Sequence, residues 1–123
     1  MNIFDYWKYT LEQNKIEMKK FFNSNAKIFW HNTNEIFTVD EYINVNCCYP
    51  GNWFGEIERI EIFCNLIITV TQVFSDDKNI SLKAISFIKI LNDKIIQIDE
   101  YWSENTEPPR WRKDMKIGET IND

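Results

Sequence analysis

Between Phe4 and Phe22 apolar residues recur at steps of three, four and seven, as Phe4, Trp7, Leu11, Met18 and Phe22, with Asn14 and Lys15 interrupting the stripe. Steps of this size put side chains on one face of a 3.6-residue turn, so the spacing predicts an amphipathic helix from Asn2 to about Phe22 that covers an apolar surface. Two β-prone runs follow, Lys27 to Trp30 and Glu35 to Phe37, either side of the turn-forming cluster His31-Asn32-Thr33-Asn34, which reads as a small hairpin. Thr38-Val39-Asp40-Glu41 has the form of a capping box and starts a second helix. That helix presents Val39, Tyr42, Ile43 and Cys47, and Pro50-Gly51 stops it.

Beyond Gly51 the pattern changes to β. Glu56 to Cys64, Leu66 to Phe74, Ile80 to Leu91 and Lys94 to Trp102 are rich in Ile, Val, Thr and Phe, and Asn65, Ser75 to Asn79 and Asn92-Asp93 separate them. None of these turns has room for a crossover helix, so the four runs predict an antiparallel meander. The third run is apolar on both faces, with Leu82, Ala84, Ile88 and Ile90 on one and Ile85, Phe87 and Leu91 on the other. Two helices cover only one side, which predicts a homodimer through the other. Residues 1–123 therefore form one domain, and 103–123, with Pro108-Pro109-Arg110-Trp111-Arg112, form an irregular tail. Trp111 is expected to pin that tail to the body or to a partner subunit.

Composition adds a cavity or an interface to this outline. Aromatics make up 15% of the chain, including five Trp and nine Phe, more than one compact core of this size uses. The net charge of -5 and scattered Lys and Arg exclude a phosphate-neutralising stripe, so neither nucleic acid nor an anionic membrane is an expected partner. Cys47, Cys48 and Cys64 suit neither a disulfide framework nor a spaced zinc site and read as reduced core thiols. Met1 to Lys8 turns polar too early for a signal peptide, so the expected location is the cytoplasm. The preference for Ile, Asn and Lys over Val, Gln and Arg points to an AT-rich, bacterial genome. Phosphate-loop, dinucleotide, zincin, Cys-x-x-Cys and nucleophile-elbow motifs are all missing, and no cofactor or metal is expected.

Candidate chemistry centres on the last strand. Ile96, Ile98, Glu100 and Trp102 share one face by period-two alternation, which sets a carboxylate in an apolar row. If that face looks into a pocket, desolvation raises the Glu100 pKa and makes it a general acid or base. Otherwise it pairs with Arg59 or Lys83, or lies at a wet mouth. Asp99 falls on the opposite face beside Tyr101, in a surface or interface position, and a register error of one residue would exchange the two acids. His31 is either a proton shuttle or an exposed turn residue. Asp40 is explained by the dipole of the second helix. Arg59 and Lys83 either stabilise a substrate anion or form surface ion pairs. Trp30, Tyr42, Trp53 and Trp102 either line the pocket, where they would stack on a flat ligand, or pack the core.

The order helix, hairpin, helix and long four-stranded meander ending in Ile98-Asp99-Glu100-Tyr101-Trp102 resembles the nuclear transport factor 2-like (NTF2-like) superfamily. Its SnoaL-like branch, which includes polyketide cyclase and ketosteroid isomerase relatives, is the most similar. The stretches that carry the resemblance are Tyr49-Pro50-Gly51-Asn52-Trp53, Ala84-Ile85-Ser86-Phe87, Asp93-Lys94-Ile95 and Pro108-Pro109-Arg110-Trp111-Arg112. The resemblance implies a cone-shaped, cystatin-like α+β fold, usually dimeric, with a pocket between the helices and the concave sheet. Many relatives carry a histidine roughly where this chain has Lys83, a departure that argues against a histidine mechanism. Since such folds host isomerases, cyclases, dehydratases and silent binding modules, two functions stay open beside that of a pure assembly domain with a collapsed cavity. One is cofactor-independent proton transfer on a small hydrophobic, carbonyl-bearing molecule. Glu100 would be its acid/base, Tyr42 or His31 a hydrogen-bond partner, and Arg59 or Lys83 an anion stabiliser. The other is a non-catalytic dimeric module that binds a ligand or a partner protein.

Overall fold

The computed structural model describes residues 1–122. Helices α1 (Ile3–Glu12) and α2 (Lys15–Lys19) lead into strands β1 (Phe22–Trp30) and β2 (Glu35–Thr38). Helix α3 (Val39–Cys48) follows, then β3 (Trp53–Phe63), β4 (Leu66–Ser75), β5 (Ser81–Leu91), β6 (Lys94–Glu104) and a short α4 (Arg110–Lys113). The strands form one curved sheet in the order β2-β1-β6-β5-β4-β3. Its pairs are antiparallel except β1 with β6. Fold class and meander are as the sequence predicts.

The expected single helix from Asn2 to Phe22 is instead two helices and the start of a strand. Gln13 adopts a left-handed conformation (φ 58°) and returns its N–H to the Tyr9 and Thr10 carbonyls, closing α1. The Asn14 side chain then accepts from the Glu17 N–H and opens α2. The polar pair that interrupts the apolar stripe is thus a cap and a restart. Phe22 is the first residue of β1. The capping box of α3 forms as read, with Thr38 Oγ1 accepting from the Glu41 N–H and Glu41 Oε1 accepting from the Thr38 N–H.

One side of the sheet carries the core. Tyr6, Met18, Ile28, Tyr42, Ile88, Ile95 and Ile98 are buried between the three N-terminal helices and the inner sheet face. Register sets which β6 residues join them: Ile98 lies opposite Ile88, Glu100 opposite Ser86 and Trp102 opposite Ala84. The alternation breaks below Gln97, where Lys89 faces Gln97 and Ile90 faces Ile95. Ile96 is the extra residue of this bulge and is half-exposed, so Ile95, not Ile96, fills the core. Lys83, Ile85 and Phe87 alternate to the outer face, with Val70 and Tyr101 beside Ile85.

Two further expectations change. Cys47 is half-buried, whereas Cys48 and Cys64 are exposed, so only the first approaches a core thiol. Cys64 sits at φ 46° in the β3–β4 turn. The irregular tail begins at Asn105 because β6 continues through Ser103 and Glu104. Trp111 is 65% exposed, with the Arg112 guanidinium over its ring, so it does not pin the tail to the body. No helix among the described residues is long and apolar enough to cross a membrane.

Candidate functional site

A cavity of about 180 Å³ opens between α1, α3 and the inner sheet face. Trp7, Thr10, Leu11 and Gln13 form one wall, Tyr42, Asn46, Tyr49 and Trp53 a second, and Trp30, Val73, Leu82, Ala84, Glu100 and Trp102 the floor. The helix break described above closes its rim. Gln13 Nε2 donates to the Asn46 and Tyr49 carbonyls at 2.9 and 2.8 Å, and Asn46 Nδ2 donates to the Thr10 carbonyl at 2.9 Å. These amide donors are therefore occupied in tying α1 to α3. At Gly55 of β3 the backbone leaves no room for a side chain, since a Cβ would lie 2.2 Å from the Gln72 carbonyl oxygen and 3.3 Å from Leu11 Cδ1.

Glu100 is the only ionisable acid on the floor and is 6% exposed. Ser86 Oγ, directly across the strand pair, donates to its Oε2 at 2.6 Å. Burial raises the carboxyl pKa above the usual range, and the Ser86 hydroxyl and the Trp102 and Trp30 indoles partly offset this by favouring the anion. The Trp30 indole favours the anion without completing a hydrogen bond, because its Nε1 has no partner in hydrogen-bonding geometry. Trp53 Nε1 is likewise buried and unpartnered, whereas Trp7 Nε1 donates to Thr69 Oγ1 at 3.2 Å. Behind the floor the Tyr6 and Tyr42 hydroxyls meet at 3.0 Å. Burial raises both phenol pKa values, and for each the nearby Glu100 charge adds to the rise. Both remain protonated donors at neutral pH.

Five of the eight residues expected at a site come together here: Trp30, Tyr42, Trp53, Glu100 and Trp102. His31, Arg59 and Lys83 do not. Lys83 alternates with the inward Leu82 and Ala84, faces outward, and donates to both Glu58 carboxylate oxygens at 2.7 Å. Arg59 follows the β3 bulge, pairs with the outer-face Val70, and binds Glu61 at 3.0 Å. His31 lies beyond the inward Trp30, 2.8 Å from Asp99 and stacked at 4.4 Å on Tyr101. Neither a proton shuttle at His31 nor an anion stabiliser at Arg59 or Lys83 reaches this cavity. Among the described residues no Lys, Arg or His lines it. Asp99 occupies the outer face, as the register predicts, and Asp40 pairs with Lys19 at 3.1 Å. Ser86 and Tyr6 were not foreseen. The signal for Ser86 was a polar residue between Ala84 and Ile88 on an apolar strand face. Tyr6 gave none, because Trp7 already accounted for that turn of the stripe.

No protein-family model matches the chain, and no curated protein matches it in sequence. Solved structures do match. A candidate ketosteroid isomerase from Kribbella flavida superposes with a TM-score of 0.79 at 17% identity, over 95% of this chain and 86% of that one. An NTF2-like protein of unknown function from Burkholderia xenovorans gives 0.76 at 18% identity, over 94% and 89%. A protein of ketosteroid isomerase-like fold from Catenulispora acidiphila, solved with trimethylamine, gives 0.71 at 11% identity, over 83% and 85%. At these identities the likeness establishes the fold and selects no branch within it.

Proposed function

Starting from this NTF2-like fold, we propose that the chain binds a small hydrophobic molecule in the cavity beneath α1 and that Glu100 exchanges a proton with it. The reaction would be a cofactor-independent isomerisation, cyclisation or dehydration. One observation carries this reading: a buried carboxyl on the floor of an apolar cavity, held by Ser86 and not neutralised by any cation. A carboxyl pKa moved up toward neutrality lets the same group accept and return a proton. In the ionised form Glu100 would remove a proton from the carbon next to a carbonyl, and the electron pair would move to the carbonyl oxygen. Trp53 Nε1, buried and without a partner, is the donor proposed for that oxygen, in place of the cations expected of Arg59 and Lys83.

Size narrows the ligand. An engineered cavity of about 150 Å³ takes up benzene, so a cavity of about 180 Å³ suits one ring or its equivalent. The Catenulispora protein's trimethylamine is a molecule of this small class. The test is α-proton exchange of small cyclic ketones in D2O, followed by NMR. Wild type should catalyse exchange, and E100Q should lose about 10²- to 10⁴-fold of it. Equal rates would remove the catalytic part and leave a binding module.

The outer sheet face favours a second, compatible proposal, a homodimer. Val70, Ile85, Phe87 and Tyr101 form an apolar centre that no helix of this chain covers, and the Lys83–Glu58 and Arg59–Glu61 pairs lie around it. An apolar centre with a charged rim is the usual composition of an interface. The exposed Trp111 of the tail would find its contact on the partner.

A further inference from the structure

We infer that the occupant of this cavity carries a small alkylated ammonium group, held against the aromatic walls with Glu100 as its counter-charge. This rests on the reading of the cavity as a binding site and adds the charge of the ligand to it. Four of the five tryptophans, with Tyr42 and Tyr49, supply the walls. Their planes stand nearly at right angles. Trp30 makes 83° with Trp102 at 5.0 Å and 86° with Tyr42 at 6.1 Å, and Trp53 makes 65° with Tyr49 at 5.1 Å. These are edge-to-face contacts between neighbouring rings, so the wall is a packed aromatic surface, and aromatic surface beside a single acid is a setting that takes an alkylammonium, whose methyl groups also satisfy apolar walls.

The charges agree. Among the described residues Glu100 is the only acid lining the cavity, and no cation lines it. An anionic ligand would therefore meet a buried acid and no counter-ion. The chain as a whole carries -5, so its field also favours cations. The groups facing Glu100 are Tyr6 from α1, Tyr42 from α3, Trp30 from β1, Ser86 from β5 and Trp102 from β6. None of them brings a positive charge. A cation in the cavity would supply the missing one and favour the carboxylate over the acid. A substrate of this kind would create the base that acts on it.

The experiment is calorimetric titration with choline and with its uncharged isostere 3,3-dimethyl-1-butanol, in two buffers of different ionisation enthalpy. Choline keeps its charge at every pH, so any proton counted comes from the protein. Expected are a preference for choline of at least about tenfold in wild type, proton release on binding, and loss of the preference in E100Q. If E100Q does not fold, the preference of wild type for choline over its isostere decides alone. Equal affinity for choline and its isostere would overturn the inference and leave the apolar cavity as a binding site. Binding of a small cyclic ketone without binding of choline would do the same. No binding of any of the three would remove the inference and the binding site together.

Discussion

Asp99 and Glu100 are neighbours on one strand, with backbones in the same hydrogen-bonded ladder, and they meet opposite surroundings. Asp99 turns outward, where His31 lies at 2.8 Å and Gln97 Nε2 donates at 2.7 Å. Glu100 turns inward, where a serine hydroxyl and aromatic rings replace water and no cation is within reach. Nothing in the local chemistry of the two side chains decides this. The pleat does, and the bulge at Ile96 decides which residues below Gln97 follow it. A carboxyl becomes a buried, desolvated acid or a surface ion according to the face it is given.

The largest expected effect separates these two acids directly. In the ketone exchange assay E100Q should lose about 10²- to 10⁴-fold, whereas D99N should stay within about threefold of wild type. Comparable losses would show that the outer face takes part in the chemistry and would break the contrast. The outer face should answer a different assay. I85K puts an unpaired charge at the centre of the proposed interface, and sedimentation should show the dimer dissociating by about 100-fold or more in affinity. Exchange activity per chain should persist unless the partner shapes the cavity. A wild type that sediments as a monomer at high concentration would remove the dimer.

Gly55 probes the inner face without touching a charge. An alanine there would drive its Cβ into the Gln72 carbonyl, which belongs to the strand ladder and cannot turn aside. G55A should destabilise the fold by about 1–3 kcal/mol, read by urea melts, and should narrow the space beneath Leu11. No loss of stability would mean that the β3–β4 ladder gives way at Gln72 more readily than the 2.2 Å approach implies.

How much of this was legible in the sequence follows the same division. Period-two alternation placed Glu100 and Trp102 inward and Asp99 outward because Ser86, Ala84 and Ile88 across the strand keep that register. The Thr38 capping box was legible because both of its partners lie within one turn. Alternation also contained the correct position of Lys83, since Leu82 and Ala84 on either side were already assigned to the core face. Arg59 was not legible. Its face depends on a bulge after Ile57, which no local residue pattern announces. The helix break at Gln13 was hidden for a related reason, because a left-handed glutamine is held there by its bonds to Asn46 and Tyr49 on another element. Long-range contacts decided what local propensity left open.

The pH dependence of stability gives a smaller and more pointed test of the inward carboxyl. Burial raises the folded-state pKa of Glu100, whereas the unfolded chain titrates near the ordinary value of about 4.3. Between the two values the unfolded state binds fewer protons, so stability from this group is present in full below about pH 4.3 and is lost as pH rises through the raised pKa. Urea melts should therefore show E100Q gaining on wild type as pH rises through that window, with a constant difference above it. A difference that is flat from pH 4 upward would mean that water or an unseen cation satisfies the carboxylate.

The smallest effect belongs to the outer acid. The His31–Asp99 pair is partly exposed, with side-chain accessibilities of 38% and 24%, and a pair of this kind contributes only about 0.2–1 kcal/mol. D99N should cost no more than that in urea melts at neutral pH, and H31A in the D99N background should add only what the imidazole's stacking on Tyr101 contributes, because the ion pair is already gone. The double variant is informative in the dimer as well. If Tyr101, stacked on the His31 ring, lies in the interface, loss of the imidazole should weaken dimerisation while Asp99→Asn alone does not. A large loss of stability from D99N in the isolated chain would mean that the outer acid is a structural anchor, and the contrast between the two faces would then rest on Glu100 alone.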